Sequence, residues 1–232
     1  MQYDMTPSAV AQTSVEERAA FITRTYLHLL GAILAFVGLE FVIFASGLVA
    51  PIAEVAMGSR MGWMLFLGGF VAVSYLADKW ARSATSIGMQ YAGLSLYVVA
   101  QSIMFAPLLL VAAYYDVGIL PKAALITAVL FGGLTGIVFL TRKDFSFMRG
   151  ALMLGGFVGM GLLVASLIFG FSLGVVFSWC MLGLAGGYML YNTSNVMLHY
   201  RTDQHVSAAL TLFADVTLML WYVIRILLNS RR

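Results

Sequence analysis

Asp215 stands in the middle of a largely apolar stretch, LTLFADVTLML at 210–220, where a carboxylate has few reasons to be other than chemical. A charge held at membrane depth costs roughly 3 kcal/mol or more and is normally turned toward a bundle interior or water. Twenty-odd residues upstream, Tyr188, Asn192, Asn195 and His199 fall at i, i+4, i+7 and i+11 and so share one helix face, a polar stripe on an otherwise apolar run. Between them lies a short loop centred near Asp203, so the two segments form an antiparallel hairpin. Asn192 and Asp215 are equidistant from its centre, which puts them at similar depth, roughly 10–15 Å above the hairpin mouth at about 1.5 Å per residue. Gln101, beside Ser102, and Glu40, within GLEF at 38–41, are further polar groups at depth. Arg225, near the end of the last run, is read as an anchor that snorkels to the interface. Two readings of the cluster are open: an interhelical hydrogen-bond clamp worth about 0.6–2 kcal/mol, or a proton-sensitive constriction on an ion path, since an apolar setting disfavours the charged form of a carboxylate.

The elements that position these groups follow from hydropathy. Of the residues, 62% are hydrophobic and 10% charged, and the mean hydropathy is +0.95, too few charges to solvate a globule of this size. Apolar runs at 26–50, 61–77, 87–114, 123–141, 150–169, 173–199 and 206–228 are each near the length of about 20 residues that crosses a bilayer. They are continuous rather than alternating, so they are helices. The fold class is therefore all-α, a polytopic membrane protein of seven transmembrane helices. Pro107 is expected to kink the third run or end its transmembrane part, leaving 108–115 as an interfacial piece. The gap at 170–172 is the only separation of runs five and six. Residues 1–24 read as a polar N-terminal arm, mobile or lying on the membrane surface, 25–229 as the membrane domain and 230–232 as a short basic tail.

Orientation follows from the basic residues near helix ends. With the N-terminus inside, the inner side carries Arg18, Arg24, Lys79, Arg82, Arg142, Lys143, Arg149 and Arg201, against Arg60, Lys122, Arg231 and Arg232 outside. The N-terminus is then cytosolic, the C-terminus outside, and the membrane the inner (plasma) membrane. The net charge of +3 is ordinary for such a rim and points to a lipid bilayer rather than nucleic acid.

Several features are read as structural. Cys180 is the single cysteine, taken as a packed thiol. The pairs Gly132 and Gly136, Gly155 and Gly159, and Gly183 and Gly187 let helix backbones approach closely. No metalloprotease, nucleophile-elbow or phosphate-loop motif is present. His28, His199 and His205 are dispersed along the chain, and the last two read as solvated loop residues, so enzyme activity and a resident cofactor are not expected. Calcium in transit is the one ion considered, with Asp215 as a weak transit site.

The stretch GGYMLYNTSNV at 186–196, followed by LTLFADV at 210–216, resembles the end signature of the Bax inhibitor-1 (transmembrane Bax inhibitor motif) family, which includes bacterial YccA-like members; YVVAQS at 97–102, through Pro107, resembles its third helix more weakly. The resemblance spans residues 24–228. It implies a seven-helix fold whose last helix is central, and a pH-sensitive calcium leak. A pair of aspartates on helices six and seven would share a proton and close the cytosolic mouth, latched by a basic residue at the end of helix two. Asp215 matches the second aspartate, whereas the first falls on Asn192. Arg82, with Lys79 as substitute, matches the latch, and Gln101 stands where an acid is frequent. An amide cannot titrate, so two family positions are neutralised. YccA-like membership implies a second role, binding and modulating a membrane-anchored ATP-dependent protease, for which the N-terminal arm, 1–23, is the feature to examine.

Overall fold

The structure, a computed structural model, describes residues 9–83 and 86–230. Among these residues there are eight α-helices: α1 (Val15–Ala45), α2 (Val49–Met57), α3 (Arg60–Ala81), α4 (Ile87–Tyr115), α5 (Ile119–Thr141), α6 (Arg149–Phe169), α7 (Val175–Leu198) and α8 (His205–Asn229). All but α2 are long and apolar enough to cross a membrane, which gives seven spans.

α8 is the centre. Its buried side include Phe213, Asp215, Thr217, Tyr222 and Ile224, and α1, α3, α4, α5 and α7 all pack on it. The packing on one flank is aromatic. The Phe36 ring meets Phe105 at 5.2 Å and Phe213 at 6.0 Å, and Phe105 meets Trp221 at 5.2 Å, all edge to face, the arrangement that ring quadrupoles favour. By contrast only Ala77 and Ala81 of α3 are buried, and only Leu152 and Gly159 of α6. Those helices turn most of their apolar surface outward, as helices surrounded by hydrocarbon do.

Several boundaries differ from those read off hydropathy. α1 begins at Val15, inside the expected arm, because Ser14 caps it: its Oγ accepts the Glu17 N–H at 3.2 Å, the S-x-x-E spacing of a capping box. The segment before it is not loose either. Val10 is fully buried and donates its N–H to the Tyr200 carbonyl at 2.9 Å, so residues 9–12 lie on the α7–α8 loop. The first run ends at Ala45, and a short amphipathic piece, α2, follows. Pro107 does not end α4, which stays helical to Tyr115 with Pro107 buried inside; surrounding helices tolerate the lost backbone bond. α6 and α7 are separate helices, the first closed by Gly170 in the left-handed conformation at φ 77°. Of the paired glycines, Gly155 and Gly159 meet Leu184 and Met181 of α7, and Gly187 meets Leu152 of α6, whereas Gly132, Gly136 and Gly183 have nothing against them. The closest helix approach is elsewhere: a Cβ on Gly93 of α4 would stand 2.5 Å from the Ala77 carbonyl oxygen and the Ala81 nitrogen of α3. Cys180 is exposed rather than packed, since it lies on the outer face of α7. Arg231 and Arg232, in the expected tail, and residues 1–8 of the arm lie outside the described residues.

Candidate functional site

The equal-depth argument holds. Asn192 Nδ2 donates a hydrogen bond to Asp215 Oδ2 at 2.8 Å, joining α7 to α8. Asp215 is 6% exposed. Beside the pair runs a cavity of about 810 Å³ between α3, α4, α6, α7 and α8, whose polar lining includes Asp78, Arg82, Gln101, Tyr188 and both members of the pair. A second cavity of about 520 Å³ sits at the hairpin end, lined by Arg82, Asn192, Asn195, His199, Tyr200 and Thr211 among others. Asn192, Arg82 and Thr211 line both, so they stand between the interior space and the mouth. The face shared by Tyr188, Asn192, Asn195 and His199 is thus the face that α7 presents to these two spaces.

Each polar group is held by a neighbour. Tyr188 donates its hydroxyl to the Leu152 carbonyl at 2.8 Å and ties α7 to α6. Arg82 donates from Nε to both oxygens of Asp78, at 2.9 and 2.8 Å, one helical turn away. The Asp78 carboxylate holds the guanidinium above its ordinary proton affinity. Tyr200, whose phenol burial pushes upward, meets the Thr211 hydroxyl at 3.1 Å. Ser194 joins the α5–α6 loop to α7: its Oγ accepts from Phe145 N at 3.0 Å and donates to the Lys143 carbonyl at 3.2 Å. On that loop Asp144 lies 3.4 Å from His199 Nε2. The Ser146 backbone N–H, donated to Asp144 at 2.8 Å, holds its carboxyl below the usual range, with His199 adding to the effect.

A family model described as "Inhibitor of apoptosis-promoting Bax1" matches residues 18–232. The chain belongs to the Bax inhibitor-1 family. It is similar to an uncharacterised protein of Pseudomonas aeruginosa, at 28% identity over 93% of this chain and 90% of the relative. An uncharacterised protein of Neisseria meningitidis serogroup A is 27% identical over 75% of this chain and 76% of its own length. Bax inhibitor 1 of Oryza sativa subsp. japonica is 31% identical over 53% of this chain and 52% of its own length.

Set against the Bax inhibitor-1 pattern, the residues divide. Asp215, Asn192, Tyr188 and Gln101 share one cavity; Gln101 is buried there with its Oε1 unpartnered. Asn195 lies at the mouth. Arg82, the expected latch, lines the cavity, and its ion-pair partner is Asp78, its i, i+4 neighbour, rather than Asp215. Lys79 is exposed and forms no ion pair among the described residues. Glu40 does not join the site. It is 7% exposed, both oxygens lack a hydrogen-bond partner, and it lines none of the cavities described. α1 and α8 run in one register, His28 beside His205 and Phe36 beside Phe213, which puts Glu40 level with Thr217 on the packed flank.

His205 is buried at 7% exposure, not a solvated loop residue, because it opens α8 under the His28 ring. Among the described residues no three His, Cys, Asp or Glu side chains come together as a metal site. Sequence reasoning missed Asp78, Tyr200, Thr211 and Ser194. Asp78 was available from its i, i+4 spacing to Arg82; the others depend on how loops fold back.

Proposed function

We propose that the chain is a cation leak of the inner membrane, calcium being the ion to test, with its constriction at Asn192 and Asp215. The observation that carries this is the 2.8 Å hydrogen bond between them, made by a residue that lines both the interior cavity and the mouth. In this reading the hairpin end faces the cytosol and the C-terminus the outside, an orientation that the seven spans and the distribution of basic residues support.

The chemistry of the pair sets the expected behaviour. Two aspartates at this distance close by sharing a proton and open by losing it, because adjacent like charges repel. Asn192 carries a donor at every pH. It holds Asp215 as a half-protonated dyad would, so the native chain stays closed across the physiological range and conducts little. A single carboxylate is far from the six to eight oxygens calcium takes in a stable site, which makes Asp215 a point of transit.

Calcium flux into dye-loaded proteoliposomes at pH 6, 7 and 8 tests this for the native chain, Asn192→Asp and Asp215→Asn. A small, pH-independent native leak and a pH-gated leak in Asn192→Asp are expected. If no variant conducts at any pH, the leak reading fails and modulation of a membrane-anchored protease is left.

A further inference from the structure

The larger cavity has a second end that the constriction does not use. α3 and α6 form opposite walls of it, yet the long helix on which α6 packs is α7, so the space between α3 and α6 opens sideways toward the hydrocarbon. Along the middle its walls are apolar, with Leu67 and Phe70 from α3, Met160, Leu163 and Leu167 from α6, and Leu218 from α8. Arg225 closes the far end, flanked by Trp63, Trp221 and Ser166. At about 1.5 Å per residue it lies roughly 15 Å along α8 from Asp215. Beside that end stands Arg60, the first residue of α3: its Nη2 would be 2.8 Å from a Cβ placed on Gly170, so the guanidinium covers the glycine that ends α6. Among the described residues neither arginine forms an ion pair.

Two uncompensated guanidinium groups, Trp63 one turn inside the end of α3 and an apolar slot open to the bilayer make one composite surface. A guanidinium recognises phosphate through paired N–H donors, tryptophan belongs at the headgroup level, and an acyl chain needs only apolar walls and a lateral way in. We propose that this groove binds one anionic phospholipid, its phosphate held by Arg225 and Arg60 and one acyl chain lying between α3 and α6 toward Asn192. The proposal does not depend on conduction.

Native mass spectrometry of the delipidated full-length protein, titrated with phosphatidylglycerol, phosphatidylcholine of the same chains or glycerol phosphate, tests it. One retained phosphatidylglycerol is expected, with about tenfold weaker retention by either Arg225→Gln or Arg60→Gln, the scale of a single charge-assisted hydrogen bond, and weaker retention of phosphatidylcholine, whose choline cation is repelled by the two guanidinium groups. Arg225→Lys, which keeps the charge, should retain more lipid than Arg225→Gln and guards against a folding defect in the latter. Leu163→Trp, which fills the slot with both arginines intact, should also lose the lipid. Equal retention of the two lipids, or undiminished retention by the arginine variants or by Leu163→Trp, would overturn the proposal. Glycerol phosphate binding as tightly as the lipid would overturn it too, since the slot would then hold no chain.

Discussion

The flank of α8 that carries Phe213 and the flank that carries Asp215 face the same kind of surroundings in composition and end in different states. On the first, α1 and α4 close over α8 and rings interlock edge to face. On the second, α3 and α6 stand apart and leave about 810 Å³. The buried carboxylates follow the same division. Glu40, on the packed flank, has no hydrogen-bond partner among the described residues, while Asp215 has one and faces open space. Burial alone therefore does not mark the site. What marks it is a polar group that has both a partner and room beside it.

The largest expected effect that sharpens this comparison is on stability. Phe213→Ala leaves a void among Phe36, Tyr97 and their neighbours, and at roughly 24 cal/mol per Å³ of cavity the cost is on the order of 2 kcal/mol. Leu163→Ala, whose side chain already borders open space, should cost well under half of that. Thermal unfolding in detergent micelles measures both, and equal losses would mean that the two flanks are equally packed.

A smaller effect belongs to the loop at the hairpin end. Asp144 is held below the usual carboxylate range, chiefly by the Ser146 N–H. Its contribution to stability is thus present above the unfolded-state carboxylate pKa and is lost as pH falls through its own lower value. Asp144→Asn should lower the melting temperature slightly at pH 7, by a difference that shrinks as pH falls below the unfolded-state carboxylate pKa. A difference that persists in acid would assign the effect to hydrogen bonding rather than charge.

Much of the fold was legible in the sequence because a bilayer forces the backbone into helices of one length. Seven runs became seven spans. The pairing of Asn192 with Asp215 was legible for a geometric reason: two helices joined by a short loop must match residues equidistant from it. Other features had no such rule. Hydropathy cannot distinguish an apolar face packed on a helix from one bathed in lipid, so the gap between α3 and α6 left no trace, and neither did the exposure of Cys180. Contacts between distant segments were equally silent, as with His28 and His205, or the tight seat of Gly93 on α3. Glu40 shows the converse error. Its residue type and depth matched those of Asp215, but helix rotation, which one sequence does not disclose, turned it to the packed side.

The difference between the flanks is most directly tested by thiol accessibility along α8. In a Cys180→Ser background, Ala209→Cys lies on the buried side and Ala214→Cys lines the cavity. Reaction with a small, neutral, membrane-permeant thiol reagent in proteoliposomes should modify position 214 and spare 209. Protection of 214, or equal reaction at both positions, would contradict open space beside Asp215.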